Sequence, residues 1–133
     1  MAPEATSEVD KKIYLSRRSS RARAIENEPL IEDHFSELGY EIVVADELSV
    51  TEQRDKFADC RRLVALHGAG LTNMLWMPPN SEIVEIFTPE LTNYCYASMA
   101  SKLGFSYQPV LAEAKSAASI ISRIQQLDED HVA

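Results

Sequence analysis

Short apolar runs alternate with stretches of helical spacing along most of the chain, and that alternation predicts the fold. Lys12 to Ser16 has the β-branched and aromatic content of a strand, and an arginine-bearing loop follows it. Asn27-Glu28-Pro29 opens a helix, with Asn27 as N-cap and Pro29 in the first turn. Leu30, Ile31, His34, Phe35 and Leu38 fall at helical spacing, and Gly39 closes the segment. Tyr40 to Ala45 is the second strand. Ser49 to Cys60 is a second helix, opened by the capping box Ser49-Val-Thr-Glu52. Arg62 to Leu66 is the third strand, and it runs through a glycine loop into a helix that ends at Met77, before Pro78-Pro79-Asn80. Ile83 to Phe87 is the fourth strand, Thr92 to Leu103 a helix closed by Gly104, Phe105 to Val110 the fifth strand, and Ser116 to Leu127 a last helix.

Five strands alternating with helices specify an α/β domain. Right-handed crossovers make it a Rossmann-like parallel sheet of about five strands with helices on both faces. Residues 1–10 and 128–133 are small, polar or acidic and read as flexible tails around one domain at 11–127. In such sheets ligands bind beyond the carboxyl ends of the strands. The arginine loop after strand one, the glycine loop after strand three and Thr88 to Tyr94 after strand four therefore belong to one rim.

At 133 residues the chain is one domain's worth, long enough for a real core. Its net charge of −8 argues against nucleic acid or an anionic membrane as a partner. No segment approaches the roughly 20 apolar residues of a membrane span, and the first ten residues lack the charged and apolar regions of a signal peptide. Cys60 and Cys95 stand apart and match no metal-ligand spacing, so both read as free thiols.

Positive charge is nevertheless concentrated locally, with Arg17, Arg18, Arg21 and Arg23 falling within seven residues. His67-Gly68-Ala69-Gly70-Leu71-Thr72-Asn73 supplies the other half of an anion site. A loop with little side-chain bulk lets backbone N–H groups and the positive end of a helix approach a phosphate. Gly68 and Gly70 can adopt dihedrals closed to other residues, and Thr72 and Asn73 can donate to a phosphate or cap the helix. His67, at the end of strand three, can touch a diphosphate or ribose, transfer a proton, or simply brace the loop. Glu85 is a charge inside an apolar strand and needs a partner, either an arginine of the first loop or a sugar hydroxyl. The dinucleotide fingerprint Gly-x-Gly-x-x-Gly is not met, because Asn73 stands at its third glycine.

Taken in order, Ser16-Arg17-Arg18, Arg23-Ala-Ile-Glu-Asn27-Glu28, Leu48-Ser49 with Glu52-Gln53, His67-Gly-Ala-Gly-Leu-Thr-Asn73 and Ile83-Val-Glu-Ile-Phe87 resemble the C-terminal half of a glycosyltransferase family 61 protein. That group includes capsular polysaccharide biosynthesis-like proteins. The resemblance runs from about Ile13 to Val110. It implies the donor half of a GT-B architecture, an inverting enzyme that needs no metal and no cofactor beyond its nucleotide-diphosphate sugar, expected to be UDP-linked. Arg17, Arg18, Arg23, His67, Gly68, Ala69, Gly70, Thr72, Asn73 and Glu85 are the substrate-binding candidates it points to. It gives no catalytic base, which is expected on an acceptor-binding half supplied in cis or trans.

An isolated half would expose apolar surface around Trp76, Met77 and Pro78, which a homodimer would cover. Bacterial relatives imply the cytoplasm and eukaryotic ones the lumen of the endoplasmic reticulum or Golgi. Two other readings stand beside this one, a non-catalytic nucleotide-binding or regulatory module and a small flavodoxin-like signalling domain. The latter is disfavoured by arginines where a receiver needs acids.

Overall fold

In the computed structural model, which describes residues 11–17, 25–89 and 93–132, the five expected strands form a single parallel sheet. They are β1 (Lys11–Leu15), β2 (Glu41–Val43), β3 (Cys60–Leu66), β4 (Glu82–Phe87) and β5 (Ser106–Leu111), in the order β2-β1-β3-β4-β5. The helices are α1 (Glu28–Glu37), α2 (Val50–Phe57), α3 (Cys95–Leu103) and α4 (Ala117–Val132), with 3-10 helices at Ala45–Glu47 and Ala69–Trp76. The α/β reading holds. Helix α4 runs past Leu127 to Val132, and the start expected for α3 at Thr92 falls outside the described residues.

Strand alternation builds two cores. Ile13, Leu15, Leu63, Ala65 and Ile83 face one side, under Phe57, Leu71, Met74 and Ala100 of α2, the longer 3-10 helix and α3. Tyr14, Val64, Leu66, Val84 and Ile86 face the other, under Ile31 and Phe35 of α1 and Ile120 and Ile124 of α4. Helices therefore cover both faces, as the near-continuous apolar runs of a buried parallel sheet require. Strand order reverses direction between β1 and β3, and this switch point is where α/β folds open a crevice.

Local chemistry confirms some element ends and revises others. Ser49 accepts from the Glu52 backbone N–H at 3.1 Å, while the Glu52 carboxylate accepts from the Ser49 N–H at 2.8 Å, completing the capping box. Asn27 is not a side-chain cap: it takes the left-handed conformation at φ 60°, tolerated by asparagine, and its side chain makes no capping bond. The segment after the glycine loop is a 3-10 helix rather than the expected α-helix. Thr72 Oγ1 donates to the Ala69 carbonyl at 2.8 Å and Asn73 Nδ2 to the Gly70 carbonyl at 3.0 Å. Both side chains reach back three residues, the spacing of the tighter helix.

Gly68 and Gly70 are needed for space rather than for dihedral freedom. Neither has a left-handed φ, and a Cβ on Gly68 would strike the Arg17 guanidinium. One on Gly70 would come to 2.5 Å from Leu15 Cδ2 in the buried core. Gly70→Val is expected to cost about 1–3 kcal/mol through this overlap, read as a lower urea midpoint. An unchanged midpoint would contradict the packing.

Buried acids that stay neutral set the alkaline limit of stability. Burial pushes the Cys60 thiol up from 9.0 to about 12, and burial, then the Glu28 carboxylate beside it, raises the Tyr14 hydroxyl well above its usual 10.0. Both folded values lie above the unfolded ones, so stability is intact below pH 9 and falls as the unfolded chain ionises first. Cys60 should contribute a slope of about 1.4 kcal/mol per pH unit between pH 9 and about 12. Urea unfolding across this range should show the decline, and Cys60→Ala should make it shallower, most clearly between pH 9 and 10, before Tyr14 contributes.

Candidate functional site

The carboxyl ends of the strands are tied together by one hydrogen-bonded chain. It begins at Glu28, first residue of α1 and only 4% exposed, whose Oε2 accepts from the Arg17 backbone N–H at 2.8 Å and Tyr14 Oη at 3.2 Å, while the Ser16 hydroxyl beside it donates to Glu32 Oε2 at 2.6 Å. A buried carboxylate needs such donors, and here they fix the turn that leaves β1. Arg17, thus placed, reaches across Gly68 and donates Nη1 to the His67 carbonyl at 2.8 Å. The guanidinium lies where a Gly68 side chain would be.

His67 continues the chain on the α3 side of the sheet. Its Nδ1 is 2.5 Å from Glu85 Oε2, and Tyr107 Oη donates to Glu85 Oε1 at 2.6 Å. Glu85 is fully buried and His67 is 7% exposed. The imidazole stacks on Phe87 at 5.5 Å and meets Tyr96 edge-on at 5.4 Å, while the exposed Tyr94 packs against Phe87. Glu85 therefore has a partner, but it is His67 with Tyr107 rather than an arginine of the first loop. The register explains this: Ala65 pairs with Glu85, so His67 stands two residues further along the adjacent strand on the same face. Burial, then the hydrogen bond to Glu85, raises the Tyr107 hydroxyl and keeps it a donor.

Between the ends of β1, β2 and β3 lies a cavity of about 140 Å³, lined by Leu15, Ser16, Arg17, Ala45, Asp46, Ala69 and Gly70. It contains a cation, a carboxylate and the backbone of the glycine loop. Asp46 escaped the sequence reading, because its place beside Arg17 depends on β2 lying next to β1. The only available signal was an acid immediately after the second strand.

Of the other candidates, Ala69 and Thr72 are exposed on the loop side. Asn73 is buried, and its amide donates to Gln53 Oε1 at 3.0 Å as well as to Gly70. Gln53 in turn donates to the carbonyls of Ala45 and Leu48, both at 3.2 Å. This pair braces the loop after β2 against the 3-10 helix. Arg18, Arg21 and Arg23 lie outside the described residues. Met77 is buried and Trp76 is 41% exposed.

A larger cleft, about 470 Å³, opens at the opposite, amino-terminal ends of the strands between Lys12, Tyr40, Arg62, Glu82, Gln108 and Leu127. Its polar groups satisfy one another: Arg62 binds Tyr40 Oη at 2.7 Å and Glu82 at 2.8 Å, and Lys12 donates to the Leu38 carbonyl at 3.1 Å. The size lies there and the chemistry at the other end. Among the described residues no group of three His, Cys, Asp or Glu side chains is arranged to hold a metal ion, and no helix is long and apolar enough to cross a membrane.

The sheet and this rim define a parallel α/β domain with its polar chemistry gathered at the switch point. The family model described as Glycosyltransferase 61 matches residues 2–84, a span that takes in Arg17, the glycine loop and the start of β4. The chain belongs to glycosyltransferase family 61. It is 30% identical over 97 residues to the EGF domain-specific O-linked N-acetylglucosamine transferase of Drosophila melanogaster, covering 71% of this chain and 18% of that protein.

Tyr107→Phe removes one donor from a buried carboxylate and is expected to cost about 1.5 kcal/mol in urea unfolding. No loss would mean that Tyr107 does not support Glu85.

Proposed function

We propose that this chain is the donor-binding part of an inverting, metal-independent glycosyltransferase of GT-B type. It holds a nucleotide-diphosphate sugar, expected to be UDP-linked, while the sugar passes to a hydroxyl acceptor bound by a separate half in cis or trans. The observation that carries this reading is the Arg17 guanidinium laid over Gly68 between the ends of β1 and β3. Negative charge grows on the diphosphate as the glycosidic bond breaks, and without a metal it must be met by a guanidinium and backbone N–H groups. Arg17 supplies a forked cation suited to two phosphate oxygens, and the bare loop from Gly68 to Gly70 lets main chain come close. Asp46, across the small cavity, has the acceptor oxygens that a ribose or sugar hydroxyl requires. The family membership supports glycosyl transfer as the chemistry this site serves.

Calorimetric titration with UDP, UDP-sugars, GDP and ADP, first in EDTA and then with magnesium, tests the reading. One nucleotide diphosphate should bind in EDTA, and Arg17→Ala should weaken it roughly tenfold or more. A folded chain that binds none of them, or binds only with magnesium, contradicts it.

A further inference from the structure

Glu28 meets two donors with a single oxygen. The Arg17 backbone N–H and Tyr14 Oη both donate to its Oε2, at 2.8 and 3.2 Å. The acceptor is also held from behind. Just before α1 the backbone of Glu26 is laced to the segment before α4, donating to the Lys115 carbonyl at 3.0 Å and accepting from the Ala117 N–H at 2.9 Å. Asn27 then turns through the left-handed region, and its carbonyl takes the Leu30 N–H at 2.9 Å. Glu28 therefore enters the helix from a fixed point. From there its buried carboxylate reaches to the end of β1 and holds the main chain of the residue whose guanidinium lies over Gly68.

The charge of this carboxylate works against a phosphate nearby, since like charges repel. Its length works in favour. Arg17 is a long side chain, so a small error where its main chain leaves β1 becomes a larger error at its fork, and a bidentate contact tolerates little misplacement. We propose that Glu28 is a positioning residue for the diphosphate, acting on Arg17 through the reach of its acceptor oxygen rather than through its charge. The identity of the ligand rests on the donor-binding reading. The hold on the Arg17 main chain does not.

The test separates reach from charge in the full chain, as wild type, Glu28→Gln, Glu28→Asp and Tyr14→Phe. Each is titrated with UDP and with inorganic pyrophosphate in EDTA, and hydrogen exchange of the Arg17 amide is followed by NMR. Glu28→Gln loses the charge but keeps an oxygen at the same reach, so the Arg17 amide should stay protected and UDP affinity should stay within about twofold of wild type. Glu28→Asp keeps the charge but falls short by one methylene. Its Arg17 amide should exchange faster, and UDP and pyrophosphate should both weaken roughly tenfold. Tyr14→Phe removes only the other donor, so it should lower the urea midpoint and leave both affinities in place.

The reverse pattern, with Asp binding like wild type and Gln weakened, overturns the proposal, because charge would then be what matters. Equal affinity in all four forms overturns it as well. So does a Tyr14→Phe loss as large as that of Glu28→Asp, since Glu28 would then serve only the packing of α1. If the Asp variant fails to fold, a loss of affinity in a folded Gln variant still contradicts the proposal and wild-type affinity there supports it. If the wild-type chain binds neither ligand, the donor reading fails, while Arg17 exchange in the Gln variant still decides whether reach holds the turn.

Discussion

The bond from the Arg17 guanidinium to the His67 carbonyl joins the two strands that part at the switch point. In this sheet order β1 leads by way of α1 to one edge, while β3 leads to the other, so the two chains diverge beyond their ends. A long side chain crosses the gap. That crossing dictates what lies beneath and behind it. A side chain at residue 68 would displace the guanidinium from its place over the loop, and the buried Glu28 anchors the Arg17 backbone N–H. Gly70 is bare for a related reason, since the loop settles closely onto Leu15.

Two carboxylates, Glu28 and Glu85, are buried at this rim in a chain of 133 residues. Neither contributes much to net stability, because desolvating a charge offsets most of what its hydrogen bonds return. What they supply is geometry. Glu28 collects donors from Tyr14 and Arg17 and so fixes the exit from β1. Glu85 collects His67 and Tyr107 and so fixes the exit from β3. The amino-terminal cleft shows the contrast: it has more volume, yet Arg62 is engaged with Tyr40 and Glu82 and Lys12 with the Leu38 carbonyl.

The sheet was readable because each strand is a short apolar run bounded by turn or capping signals, and burial on both faces removes the ambiguity that alternation would bring. Its rim was readable in part. Arg17, His67 and the glycines stood out by residue type, but the reason for the glycines did not, since a close approach is invisible until β1 is laid beside β3. Glu85 was visible as a misplaced charge, and its partner was not, because that depends on the register of β4 against β3. Asn73, which the sequence offers as a phosphate donor or a helix cap, donates to Gln53, and Gln53 holds the loop after β2, a pairing that depends on how α2 packs against the 3-10 helix. Apolar spacing also cannot separate a 3-10 helix from an α-helix over eight residues, and at 69–76 the difference lay in side chains bonding three residues back.

A crystal structure of the chain soaked with UDP in the presence of EDTA addresses the central claim most directly. The account predicts diphosphate density against the Arg17 guanidinium and the Gly68–Gly70 main chain, at the carboxyl ends of β1 and β3. Density in the amino-terminal cleft between Tyr40, Arg62 and Gln108, with the rim empty, would contradict it.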